Sequence, residues 1–316
     1  MQISDVSRCA DAMRENIEKV IIGKSTEINL ILSALFAEGH VLLDDVPGTG
    51  KTMLAKTLAK SISCEFRRIQ FTPDLLPTDL TGINFYNQKK SDFEFRKGSL
   101  FTNILLADEI NRATPRTQSG LLESMEEKQI TVDGRTYALA APYFVIATQN
   151  PIETHGTYPL PEAQLDRFLI RLSLGYPTSA ESADVVRRFL LSRPLDTIGA
   201  VCEASVLLEI QQAVKTVFIH DDLIGYIVEL TEKTRTADSV ILGASTRGAI
   251  ALACLCRAYA ALCGREYVLP DDVQLLLPYA YAHRIIHRGG AAGYANDLLR
   301  DIITETTVPS ENYWGV

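Results

Sequence analysis

Pro47-Gly48-Thr49-Gly50-Lys51-Thr52 places two glycines, a lysine and a hydroxyl within six positions. Glycines there let successive backbone N–H groups turn inward and cradle phosphate oxygens at a helix N-terminus. In such a loop Lys51 would reach the β- and γ-phosphates of a nucleotide, and the Thr52 hydroxyl would bind magnesium. One position departs from the usual pattern: the first glycine, five residues before Gly50, is replaced by Asp45, so the loop must accept a side chain at its entrance. Further on, Asn103-Ile104-Leu105-Leu106-Ala107-Asp108-Glu109 delivers two adjacent carboxylates from an apolar run. Asp108 would hold magnesium or its water, and Glu109 would polarise the attacking water. Another apolar run, from Phe144, ends in Asn150. Its amide could reach the γ-phosphate or the water; capping a helix or turn is the competing role.

These groups act together only if the chain brings them to one edge of a sheet. Val41-Leu42-Leu43 is a short apolar run that ends at the glycine-rich turn, with a helix expected over 52–61. Further strands are expected at 66–71, 103–107, 143–147 and 168–174, with helical segments such as 117–127 between them. That alternation predicts an α/β fold, a parallel five-stranded sheet covered on both faces. Ligands of such sheets bind beyond the carboxyl ends of the strands. Two hairpins interrupt the rhythm, one over 81–97 and one over 129–139 that turns at Asp133-Gly134. After Gly175-Tyr176-Pro177 the period is helical, with N-caps expected at Ser179, Ser205, Asp221 and Asp271. The expected organisation is a nucleotide-binding α/β domain over 1–176 and a small all-helical lid domain over 177–316, with no element assigned to the tail from Gly289.

Bulk composition is that of a globular chain with real cores: 316 residues, 47% hydrophobic and 22% charged. A net charge of −8 argues against a broad phosphate-backbone footprint. Residues 1–19 are too charged for a signal peptide, and the longest uncharged apolar stretch, 248–256, is far short of the roughly 20 residues that span a bilayer. A cytoplasmic protein without an integral membrane segment is expected. Six scattered cysteines, three of them crowded at 254, 256 and 263 on one expected helix, suit neither a disulfide nor a zinc site, and buried free thiols are expected. His283 and His287 are four apart, as in zinc-protease helices, but Arg284 stands where that pattern needs Glu, which leaves an ordinary helix face.

In this order, a Walker A loop, Asp108-Glu109, a hairpin and Asn150 resemble the AAA+ ATPases. The hairpins look like the helix-2 insert and the pre-sensor-1 insertion of one AAA+ branch. More narrowly, four groups of residues are similar to the MoxR family: Asp108-Glu109-Ile110-Asn111-Arg112-Ala113, Thr117-Gln118-Ser119 with Leu121-Leu122-Glu123, Ala147-Thr148-Gln149-Asn150-Pro151, and the run from Gly156 to Phe168. The resemblance covers about 20–288 and assigns roles. ATP with Mg2+ is the implied cofactor. Asn150 matches sensor 1. Arg167 matches the arginine finger that reaches a neighbour's γ-phosphate. Arg247 matches sensor 2, at the start of a lid helix, with a phosphate contact that would bridge the two domains. Gly23, in Ile22-Gly23-Lys24, falls in the segment that packs on adenine. Taken singly, Arg167 and Arg247 read equally as surface arginines, and Arg112 and Arg116 compete for an intersubunit role.

A finger supplied by a neighbour implies a ring, and the resemblance points to a hexamer. It also implies a chaperone-like machine that remodels, matures or activates partner proteins, often metal-dependent ones, together with a protein carrying a von Willebrand factor A domain. Three alternatives stay open. A nucleic-acid motor is disfavoured by the acidic balance and by the absence of any basic run longer than Lys89-Lys90, so nucleic acid is not an expected partner. A chelatase-type motor subunit is separated mainly by the MoxR-like runs. An ATP-gated scaffold with little turnover would have no need of Glu109.

Overall fold

The computed structural model describes residues 1–150, 156–288 and 293–309. Strands β1 (Val41–Asp44), β2 (Phe66–Gln70), β3 (Ile104–Asp108), β4 (Phe144–Gln149) and β5 (Ile170–Leu172) form one sheet in the order β2-β3-β4-β1-β5. Every pairing is parallel. A sheet of this kind buries both faces, which is why the central strands β3 and β4 are largely continuous apolar runs, while the edge strands β2 and β5 carry arginines. Side chains still divide by parity. Leu43, Leu106 and Ile146 enter one core, while Leu42, Leu105 and Val145 enter the core on the opposite face.

The first core takes the helices Ile3–Glu18, Ser25–Phe36 and Lys51–Ser61. It also takes Leu252, Leu255 and Leu276 from the helices Thr246–Leu262 and Pro270–Tyr281, so apolar packing runs without a break past residue 176. The second core holds Leu121, Leu122 and Met125 of the helix Pro115–Glu127. Both expected hairpins are present, Gly82–Asn87 with Asp92–Lys97 and Gln129–Val132 with Arg135–Ala138. Asp133 and Gly134 both take positive φ (48° and 77°), as a two-residue hairpin turn demands. The hairpins are joined: Phe95 stacks on Tyr137 with ring centroids 4.2 Å apart, and Asn84 Nδ2 donates to Asp133 Oδ2 at 2.7 Å.

Beyond residue 176 helices predominate: Ser179–Leu191, Ala204–Val214, Asp221–Thr236, Thr246–Leu262, Pro270–Tyr281 and Gly293–Glu305. Two details differ from expectation. The helix expected to reach 287 ends at Tyr281, and Ile286–His287 instead pairs with Val240–Leu242 as a small antiparallel ribbon. His283 and His287 therefore share no helix face, and among the described residues no three or more His, Cys, Asp or Glu side chains cluster as a metal site. All six cysteines are free, but only Cys202 and Cys256 are buried; Cys9, Cys64 and Cys254 are half-buried, and Cys263 is exposed just past the end of its helix. Pro151 and residues 310–316 of the expected lid lie outside the described residues.

His40 ties three of these elements together. Its Nδ1 accepts from the Val145 N–H at 3.1 Å, so the ring proton sits on Nε2 and is donated to Met125 O at 3.1 Å. Burial pushes its pKa down to about 4. The folded chain thus keeps this ring neutral while the unfolded chain protonates it near pH 6.5. The stability it contributes is complete above that pH and is lost as pH falls towards 4, an effect of about 3 kcal/mol. Denaturant unfolding at pH 7 and pH 4 should show this loss in the wild type. His40→Asn, which does not titrate, should show a pH dependence smaller by about that amount.

Candidate functional site

The loop between β1 and the helix Lys51–Ser61 has the backbone of a phosphate cradle. Gly48 and Gly50 sit at φ 89° and 90°. A Cβ at either would meet nothing within 4 Å, so conformation rather than space demands glycine. Lys51 is folded back over the loop, its Nζ donating to Asp45 O at 2.9 Å and Val46 O at 3.0 Å. Thr52 lies in the first helical turn, where backbone N–H groups have no intrahelical acceptor.

The carboxylates stand alongside because β1, β3 and β4 run parallel and in register, Leu43 beside Thr148 and Ala107 beside Ala147. Asp108 Oδ1 accepts from Thr148 Oγ1 at 2.6 Å, and its Oδ2 accepts from Arg68 Nη2 at 2.7 Å. The Thr148 hydroxyl also accepts the Glu109 N–H at 2.9 Å, so one hydroxyl orients both acidic residues. Glu109 has φ 57°, a left-handed conformation that is costly for a side-chain-bearing residue and recurs at functional sites. Its carboxylate lies between Gln70, which donates to Oε2 at 2.6 Å, and Arg112, whose Nε is 3.1 Å from the same oxygen. Asn150 directly follows β4 at the same edge. Pro47, Gly48, Thr49, Gly50, Lys51, Thr52, Asp108, Glu109 and Asn150 are thus brought to one edge of the sheet.

Arg167 and Arg247 are elsewhere. The Leu169 N–H donates to His40 O at 2.8 Å, which places the segment before β5 beside the entry to β1. There Arg167 Nε lies 3.1 Å from Glu126 Oε2, an ion pair not aligned as a hydrogen bond, and Arg247 pairs with the other oxygen of Glu126. The full length of β1, about 13 Å, separates this cluster from the phosphate loop. The expected bridge from Arg247 to its own chain's phosphate site is therefore corrected. The Thr246–Leu262 helix begins where Ser245 Oγ donates to Asp166 Oδ2 at 3.2 Å, at the entry end of the sheet. Of the rival arginines, Arg112 belongs to the Glu109 cluster, and Arg116 is exposed at the start of its helix.

Arg284 shapes the site although nothing local in the sequence marked it for that role. Arg284 is only 3% exposed in its side chain, and it donates to Asp166 Oδ1 at 2.6 Å and to Phe168 O at 2.7 Å, clamping both neighbours of Arg167. Burial lowers its pKa and Asp166 opposes that shift. The buried Gln118 amide donates to Ile110 O, Ala113 O and Tyr158 O, so this part of the motif fixes the loop after Glu109. Gly23 has φ 71°, and the carboxylate end of Glu181, from the Ser179–Leu191 helix, lies against it.

A family model for the "ATPase family associated with various cellular activities (AAA)" matches residues 40–170, and one for an AAA lid domain matches residues 232–304. The chain is 38% identical over 279 residues to chaperone MoxR1 of Mycobacterium tuberculosis, which covers 85% of this chain and 74% of that protein. It belongs to the MoxR family of AAA+ ATPases. Protein MoxR of Methylorubrum extorquens is 28% identical, with 97% of each chain covered. Protein YeaC of Bacillus subtilis is 51% identical over 298 residues, 93% of each chain. A crystal structure of a protein assigned as an ATPase, from Cytophaga hutchinsonii, superposes with a TM-score of 0.90 at 39% identity and covers 98% of this chain and 97% of that one. This MoxR-family chain is accordingly an ATP-binding ATPase with an α/β core and a lid.

Thr148→Val removes the shared hydroxyl at nearly constant volume. Unsatisfying buried polar groups should cost about 1–3 kcal/mol in chemical denaturation. With both acidic residues released, ATP turnover should fall by at least about tenfold while ATP binding is largely kept. Phosphate release and equilibrium nucleotide binding on the same protein check this.

Proposed function

We propose that this MoxR-family ATPase is a magnesium-dependent, ring-forming chaperone that uses ATP to remodel or activate partner proteins. One observation carries the reading: the chain holds both halves of a phosphoryl-transfer site at opposite ends of one sheet. The half with Lys51, Asp108, Glu109 and Asn150 would bind and activate; the half with Arg167 and Arg247 supplies cations. Since β1 keeps the two apart within one chain, a second copy would complete the site; a closed ring satisfies every copy, and the family resemblance points to a hexamer.

In this reading Lys51 exchanges two carbonyls for the β- and γ-phosphates, and Pro47, Gly48, Thr49 and Gly50 shape the cradle. Thr52 and Asp108 would hold Mg2+, which would neutralise charge on the phosphates. The fit is supported by Asp108 already holding a cationic partner, the Arg68 guanidinium. Glu109 orients water, Asn150 contacts the γ-phosphate or that water, and the Gly23 loop packs on adenine. The nucleotide-binding body would span 1–176 and the lid 177–316.

The joined hairpins support action on proteins. They expose Phe85, Tyr86 and Phe93, the last 66% accessible, and exposed aromatic groups of this kind serve protein contact. A metal-dependent partner, and one with a von Willebrand factor A domain, follow from the family resemblance. Among the described residues no helix is long and apolar enough to cross a membrane, which supports a cytoplasmic location.

Lys51→Ala should lose ATP binding, whereas Glu109→Gln should bind ATP and stall. Arg167→Ala and Arg247→Ala should each bind ATP and turn over poorly, by about a thousandfold for a supplied finger. Mixing Arg167→Ala with Lys51→Ala should restore part of the activity, because some interfaces then pair an intact loop with an intact arginine. Silence from mixed rings whose formation is verified would sink the two-copy site. Affinity capture with Glu109→Gln held in ATP, compared with Lys51→Ala, should recover the partner protein.

A further inference from the structure

We propose that Asp45 is a positioning residue that couples occupancy of the phosphate loop to the segment leading from the sheet into the helical region. This rests on the reading of that loop as the ATP site. Asp45 stands where phosphate loops ordinarily begin with glycine, yet it is 3% exposed and fully engaged. Its Oδ1 accepts from Ser173 Oγ at 2.7 Å and from Gly175 N–H at 3.0 Å, and its Oδ2 accepts from Leu174 N–H at 2.6 Å. Hydrogen bonds to an ionised acceptor are the strong ones, and three of them on one buried carboxylate make a stiff joint.

The backbone of the same residue meets the site on two other sides. Its N–H donates to Gln149 O at 3.2 Å, next to Asn150, and its carbonyl accepts Lys51 Nζ at 2.9 Å. Phosphate that draws the ammonium away removes the donor from the Asp45 and Val46 carbonyls, and the peptide relaxes. Only a Cβ separates that backbone from the carboxylate holding residues 173–175, so the displacement passes to them.

Those three residues are where a small shift has consequences. Gly175 turns the chain at φ 61°. Three residues later Thr178 caps the Ser179–Leu191 helix, its hydroxyl accepting from the Glu181 N–H. The Glu181 carboxylate in turn abuts Gly23. The connection therefore runs from Lys51 through Asp45 and residues 173–175 to the helix whose Glu181 carboxylate touches the Gly23 loop, the side assigned to adenine. Glycine at position 45 would leave the cradle intact and delete this joint.

The test compares wild type, Asp45→Gly, Asp45→Asn and Ser173→Ala with and without a non-hydrolysable ATP analogue and magnesium. Amide hydrogen exchange of residues 173–181 is read at saturating nucleotide, with ATP affinity, KM and kcat measured on the same proteins. In the wild type, nucleotide should change exchange in this segment. Asp45→Asn keeps the size but sets an amide N–H against the Leu174 N–H. It and Asp45→Gly should bind ATP within about threefold of wild type, lose the exchange response, and lose at least about tenfold in kcat with KM little changed. Ser173→Ala keeps the carboxylate and both backbone bonds, so it should retain the response. Should Asp45→Gly fail to fold, Asp45→Asn decides. A nucleotide-saturated Asp45 variant that responds like wild type, or turns over at its rate, overturns the proposal. So does a wild type that binds ATP with no response in 173–181. A wild type that does not bind ATP at all overturns the site reading as well.

Discussion

The parallel pairing of β1 between β4 and β5 is the constraint on which the rest depends. Val41 lies beside Ile146 on one side and Ile170 on the other, so β1 starts level with β5 and ends level with β4. In an all-parallel sheet every strand exit lies at one edge and every entry at the other. Exits carry the phosphate loop, Asp108-Glu109 and Asn150. Entries carry His40, Arg167 and, through the docked helical region, Arg247. Sliding one strand by a residue would turn Leu42 or Leu105 toward the wrong core, so this separation is held by two hydrophobic cores at once.

Charge in the site is paired ahead of need. Lys51 rests on two carbonyls, Asp108 on Arg68 and Thr148, Glu109 on Gln70 and Arg112, and both candidate catalytic arginines on Glu126. An isolated charge taken out of water is costly, so a site left with bare ions would weaken the fold. Nucleotide and neighbour must then win these groups from internal partners. The net gain on binding is an exchange of one set of charge-assisted bonds for another, which lets occupancy of the site alter the surrounding structure.

What could be read from the sequence was what is local. Gly48, Gly50 and Lys51 announce the loop because their backbone needs lie within it, and Asp133-Gly134 marks a hairpin because a two-residue turn demands positive φ at both positions. Apolar runs marked the central strands β1, β3 and β4. Arg68, Gln70 and Thr148 were silent, since each acts across a strand boundary on a residue about 40 positions away. The partner of Asp45 was hidden for the same reason: the odd residue was visible, but Ser173, Leu174 and Gly175 were not. Arg247 was misplaced because its position at a helix start says nothing about which end of the sheet that helix docks against. Helix starts also slipped by one or two residues; Thr178, not Ser179, makes the capping bond.

The docking end shows why a buried arginine is worth keeping. Arg284 could be replaced in principle by apolar packing, since buried ion pairs seldom add stability over well-packed hydrophobic groups. Its hydrogen bonds, however, fall on Asp166 and on the Phe168 carbonyl, the residues on either side of Arg167. Asp166 also accepts from Ser245, two residues before Arg247. One carboxylate therefore sets the backbone beneath both arginines. A cation meant for a phosphate on another chain gains from being held in place before that chain arrives, because ordering it afterwards would subtract from the stabilisation it provides. Arg284 provides that order from the lid side, and Asp166 and Glu126 from the core side. In the two-copy site proposed above, the lid would thereby be part of the surface offered to the next subunit, and the continuous apolar core past residue 176 would keep that surface in one piece.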